Sequence, residues 1–142
     1  MSQFPDPRDL IPHREPFLFP QRIIALEPGV SCTAEWDLAQ DDDFFTGHFP
    51  GRPTLPGVLM VEALAQTAGL AAMASPDFAG KIPLFGGIDK ARFRRQVIPG
   101  DTLTLAATLG RMGARAGKGS GVASVGDEVA CQADMLFIIA DA

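Results

Sequence analysis

The chain has no tyrosine, one tryptophan, two cysteines and two histidines. The two cysteines, Cys32 and Cys131, are too few for a disulfide scaffold, and each reads as a small buried hydrophobe. Positive charge is also scarce: 12 Lys and Arg against 17 Asp and Glu leave a net charge of −5, which argues against a nucleic-acid binder. No apolar run reaches the length of a membrane span, so no membrane partner is expected. The opening Met-Ser-Gln-Phe-Pro-Asp lacks the form of a secretory signal, and a cytoplasmic location is expected. Internal repeats and low-complexity linkers are missing.

What remains is an ordinary globular composition, 46% hydrophobic and 20% charged over 142 residues. That length suits a single domain, 1–142, with residues 1–8 loose. The most informative stretch runs from Phe45 to Gly69. Gly47, Pro50, Gly51, Pro53, Pro56 and Gly57 cannot share a regular element, so they shape a loop, and that loop holds His48. From Gly57 the pattern turns helical, and a long apolar helix is predicted from about Pro56 to Ala74. Glu62 is its only carboxylate. A buried acid is costly unless it is paired or put to use.

The remainder reads largely as strand. Phe17–Leu26 is one strand with Pro20 as a defect, and Val30–Leu38 is a second, with Cys32, Ala34 and Trp36 on one face. Ile82–Val97 is mostly strand, interrupted at Gly86-Gly87, and Thr102–Leu109 alternates cleanly. Gly110–Gly121 is glycine-rich and reads as a flexible hairpin connection; its Gly117-Lys118-Gly119-Ser120-Gly121 lacks both a following helix and a phosphate-loop lysine–serine pair. Val122–Val125 and Glu128–Ile139 are the last strands. Asp41-Asp42-Asp43 fails the calcium-loop pattern, since a loop starting at Asp42 puts Pro53 where a glutamate is needed; no metal is expected. Taken alone, this order of elements implies an α+β plan.

Five short strings, in order, resemble the FabZ/FabA family of β-hydroxyacyl-(acyl-carrier-protein) dehydratases. They are Leu10-Ile11-Pro12-His13-Arg14 with Pro16-Phe17-Leu18, then Gly47-His48-Phe49-Pro50-Gly51, Pro56-Gly57-Val58-Leu59, Glu62-Ala63-Leu64-Ala65-Gln66, and Gly87-Ile88-Asp89-Lys90-Ala91-Arg92-Phe93 with Pro99-Gly100-Asp101. The resemblance covers roughly residues 9–139. It implies a hotdog fold, an antiparallel sheet wrapped around one long central helix. It also implies dehydration of a (3R)-hydroxyacyl-[acyl-carrier-protein] to the trans-2-enoyl form, without cofactor, in fatty acid or related lipid or polyketide biosynthesis.

The residues suit that chemistry. His48 fits the base that takes the C2 proton, because an imidazole has an ordinary pKa of about 6.5. Glu62 fits the acid that protonates the departing hydroxyl, since a carboxyl in apolar surroundings keeps its proton more readily. The Gly57 amide, at a helix N-terminus, fits the donor to the thioester oxygen. The resemblance implies the same three assignments and a homodimer, with His48 facing the partner's acid; a hexamer built of dimers is left open. Gln66, one turn beyond Glu62, either orients the acid or a water or makes an interface hydrogen bond. Lys90, Arg92, Arg94 and Arg95 form the one basic cluster, and on a strand Lys90, Arg92 and Arg94 share a face. It is either a solvated sheet face or a dock for acidic acyl carrier protein and the phosphate of its phosphopantetheine arm. His13, in a turn, reads as structural.

The chain departs from the family at Pro20-Gln21-Arg22, where Val-Asp-Arg is usual, at Asp41-Asp42 and at Arg95-Gln96-Val97. It also lacks the tyrosine many members carry near Leu84-Phe85. These differences bear on chain length and pathway. Glutamate rather than aspartate at position 62 favours plain dehydration over added double-bond isomerisation. The rival readings are a hotdog thioesterase and a non-catalytic acyl-carrier or lipid-binding module.

Overall fold

In the computed structural model, which describes residues 3–142, the alternation along Ser31–Asp37 becomes strand β2: Cys32, Ala34 and Trp36 are buried and their neighbours are not. Its companions are β1 (Arg22–Glu27), β3 (Lys81–Phe93), β4 (Thr102–Met112), β5 (Ala116–Val125) and β6 (Glu128–Asp141). All pair antiparallel in one sheet, in the order β1-β2-β4-β5-β6-β3. A short helix α1 (Phe44–Gly47) precedes the His48 loop, and the long helix α2 (Gly57–Met73) follows it.

The sequence placed α2 within one residue at each end: Pro56 and Ala74 are its caps. Every residue from Ala63 to Ala72 is buried, so the helix has no polar stripe. It packs against β2 to β6, which curve around it. Leu64 and Leu70 are fully buried there, with Leu103 and Leu105 of β4. The result is the expected hotdog fold.

Four expectations need correction. Gly110–Gly121 is not a flexible connection; β4 runs to Met112 and β5 begins at Ala116. Along β5 the glycines point inward and alternate with exposed Lys118 and Ser120. A Cβ at Gly121 would lie 3.0 Å from Leu64, so the bare backbone lets α2 seat against the sheet. Second, although Gln21 N–H still donates to the Glu35 carbonyl of β2 at 2.8 Å, Phe17–Pro20 does not join the ladder of β1. Its backbone groups bind the Gln66 side chain instead: Phe19 N–H donates to Oε1 and Nε2 donates to the Phe17 carbonyl, both at 3.0 Å. Third, β3 ends at Phe93, and its register shifts at Gly86 and again between Asp89 and Arg92, where Lys90 has a φ of 51°. Last, of the segment expected to be loose, residues 1–2 lie outside the described residues. The rest is anchored: Asp6 caps a 3-10 turn, Pro7–Asp9, with Pro7 buried, and Phe4 packs on the core.

Candidate active site

The Glu62 side is built on α2. Glu62 is partly buried and lines a cavity of about 430 Å³ with His13, Phe17, Gln66, Leu84 and Phe85. Gln66 Nε2 donates to Glu62 Oε2 at 2.8 Å, the i, i+4 spacing of one helical turn. With both amide ends also bound to Phe17 and Phe19, Gln66 cannot rotate without breaking a buried hydrogen bond. His13 Nε2 stands 3.7 Å from the same Oε2.

The His48 side is built on the loop after α1. Thr54 N–H donates to the His48 carbonyl at 2.9 Å, and Leu55 N–H donates to the Val97 carbonyl at 2.8 Å, so both ends of the loop are tied. His48 Nδ1 lies 2.7 Å from the Thr54 carbonyl. A carbonyl only accepts, so Nδ1 carries the proton and Nε2 keeps its lone pair. The Phe49 ring covers one face of the imidazole at 4.0 Å. His48 lines a cavity of about 540 Å³ with Gly57, Phe93, Arg94 and Arg95.

Gly57 is the first residue of α2. Amides in a first helical turn have no intrahelical acceptor, and the helix dipole adds positive character there. A Cβ at Gly57 would lie 2.8 Å from the Phe93 ring, so only glycine fits beneath that ring.

The sequence-predicted site residues thus fall into two groups. His48 and Gly57 share one cavity; Glu62 and Gln66 share another, and His13, which reads as structural from sequence, joins them. Within one chain His48 and Glu62 line different cavities. The basic cluster does not form one face either. Lys90 lines a separate groove on the sheet, while Arg94 and Arg95 border the His48 cavity. Arg95 is engaged by Asp101 and Glu128, both at 3.2 Å, and these partners hold its guanidinium more firmly protonated, the Asp101 hydrogen bond first. Arg94 bonds the neutral Gln132 side chain at 2.8 Å.

A sheet wrapped on one buried helix, with a tautomer-fixed imidazole and a glutamate in separate cavities, defines a hotdog-fold protein. The chain belongs to the FabA-like family, whose domain model matches residues 11–134. It is 53% identical to the 3-hydroxyacyl-[acyl-carrier-protein] dehydratase FabZ of Chloroflexus aggregans over 132 residues, 93% of this chain and 92% of that protein. The FabZ of Symbiobacterium thermophilum is 47% identical over 134 residues, 94% of each chain. Among solved structures, a dehydratase heterocomplex, ApeI:P from Xenorhabdus doucetiae, shares the fold with a TM-score of 0.78 at 17% identity, covering 96% of this chain and 91% of that one.

Proposed function

We propose that this chain is a 3-hydroxyacyl-[acyl-carrier-protein] dehydratase of fatty acid biosynthesis and that two copies complete each active site. The observation that carries this reading is the separation of its chemistry: base and amide donor in one cavity, acid in another. The free edge of β3 supplies a route to pairing. Among the described residues β3 has a strand partner on one side only, over 13 residues, and Leu84, Phe85, Ile88 and Phe93 on it are exposed. A long apolar edge of this kind calls for cover. A second β3 alongside it would bring the His48 cavity of one copy to the Glu62 cavity of the other.

Chemistry then follows from the two half-sites. The substrate thioester oxygen sits at the Gly57 N–H, which stabilises charge as it develops there. His48 Nε2 takes the C2 proton. The C3–O bond breaks, and the leaving hydroxyl takes the proton of the partner's carboxyl and departs as water. The proton held by His48 then restores the glutamic acid, so the site is regenerated with no net gain or loss. Arg94, with no carboxylate partner among the described residues, is the cation best placed to meet a phosphopantetheine phosphate on the carrier.

The test is enoyl-thioester formation from a 3-hydroxyacyl carrier protein, using wild type, His48→Ala, Glu62→Ala and the two variants coexpressed. Each single variant should lose about 100- to 10,000-fold. Coexpression should restore part of the activity through mixed dimers. Inactivity of the mixture alongside an active wild type would refute the composite site; an inactive wild type that still binds the carrier would refute the dehydratase assignment.

A further inference from the structure

Beside Glu62 stands a second histidine with an unusual setting. His13 Nδ1 is buried and meets no hydrogen-bond partner among the described residues. Its Nε2 faces the Glu62 carboxylate at 3.7 Å. The backbone that carries it is braced on both sides. Arg14 donates to the carbonyls of Arg8, Ile11 and His13 at 3.1, 3.0 and 2.6 Å. Ile11 is buried against α2 at Gly69, where a Cβ would come within 3.5 Å of the Ile11 side chain. A loop so fixed aims the imidazole at one target.

The ring's tautomer follows from its partners. A proton on Nδ1 would be a buried donor with no acceptor among the described residues. A proton on Nε2 points at Glu62 Oε2, an oxygen that accepts. The two histidines therefore carry their protons on opposite nitrogens: His48 on Nδ1, His13 on Nε2.

We propose that His13 is a positioning residue for the acid, holding Glu62 Oε2 through its Nε2–H so that Oε1 carries the proton to the substrate. This rests on the reading of Glu62 as that acid. Gln66 donates to the same oxygen from the other side, so Oε2 is the bound oxygen and Oε1 is left unengaged by either donor. When the hydroxyl leaves with the proton, Glu62 becomes a carboxylate. The separation of 3.7 Å is longer than a hydrogen bond in the resting state and shortens as that charge appears. The contact is thus strongest in the transition state and acts on kcat rather than on KM. His13 acts only as a donor, and no proton passes through it.

Isosteres separate this role from plain packing. Glutamine can place an amide N–H where Nε2–H stands; asparagine reaches only the Nδ1 position. Steady-state dehydration kinetics are expected to show His13→Ala and His13→Asn with kcat lowered about 10- to 100-fold, KM within about twofold, and His13→Gln recovering most of the rate. Equal impairment of all three variants, or a rise in KM with kcat intact, overturns the proposal. Glu62→Gln run alongside distinguishes the two readings: if it retains wild-type activity, the acid assignment fails whatever His13 does. A second measurement needs no variant at position 13. With two histidines in the chain, NMR of the imidazole nitrogens, assigned with His48→Ala, should report Nε2–H for His13. An Nδ1–H tautomer there, or a His13 signal unmoved by Glu62→Gln, overturns it independently of folding.

Discussion

Gln66 and Glu62 are joined by a 2.8 Å hydrogen bond across one turn of α2, and the same glutamine amide holds the Phe17–Phe19 segment through two more. One buried side chain therefore ties the acid to the wall of its own cavity. Removing it in Gln66→Ala leaves the Phe19 N–H buried with no acceptor. We expect a stability loss of about 2–4 kcal/mol, measured by urea denaturation, together with reduced kcat. A variant as stable as wild type would show that the segment is held by its aromatic packing alone.

The glycines of β5 make a second, purely structural prediction. Gly121 faces Leu64 with no room for a methyl group, the nearest side-chain atoms standing 3.0 Å from its Cβ position. Gly117 faces the flexible end of Met112 instead. Gly121→Ala should cost about 1–3 kcal/mol, whereas Gly117→Ala should cost under about 1 kcal/mol, because a thioether can swing away and a core leucine cannot. Thermal unfolding of both variants checks the contrast; equal losses would mean that α2 shifts to absorb the added carbon.

These two cases mark where the sequence was legible. The limits of α2 and the inward face of β2 could be read because both depend on local hydropathy periods, broken at α2 by Pro56 and by Ser75-Pro76. Gly117, Gly119 and Gly121 carry no hydropathy, so their alternation was invisible until Leu64 and Ala68 stood opposite. Phe17 and Phe19 look like strand residues, yet their backbone partner lies 47 to 49 positions away, at Gln66. His13 is the same kind of case: nothing within its own turn points to Glu62. Similarly, the expected single face of Lys90, Arg92 and Arg94 assumed strict alternation, which the irregularity at Lys90 breaks. Local patterns gave the elements, while the two cavities depend on long-range docking.

Asp37 supplies a pH-dependent stability term away from the site. It accepts from Arg22 at 2.8 and 3.1 Å and from the Thr102 hydroxyl at 2.7 Å. These bonds, those of Arg22 first, hold its carboxyl below the usual aspartate range. The unfolded chain binds this proton at about pH 3.9, and the folded chain only at lower pH. The contribution is therefore complete above that value and is lost as pH falls through the depressed folded one. The group is half-exposed, so the contribution is below about 1 kcal/mol. Wild type should exceed Asp37→Asn in urea midpoint near neutrality, with the gap closing on acidification. A gap that persists unchanged at acid pH would assign it to the lost Thr102 geometry instead.

Arg94 and Arg95 sit side by side at the mouth of the His48 cavity, but they differ in what charge they have left to offer. Arg95 is neutralised by Asp101 and Glu128, and the Asp101 carboxylate also accepts the Ile98 N–H in the turn before β4. Reversing it in Arg95→Glu should loosen that turn and lower stability whatever the substrate. Arg94 has a neutral partner, so its charge remains available to a carrier phosphate or acidic helix. Arg94→Glu should raise KM for a carrier-linked substrate about tenfold and leave a short thioester analogue unaffected. Added salt should erode the wild-type advantage, because the attraction is screened. If both substrates suffer equally, Arg94 acts on the His48 cavity itself, and recognition of the carrier must fall to Lys90 or Arg92, which lie farther along β3.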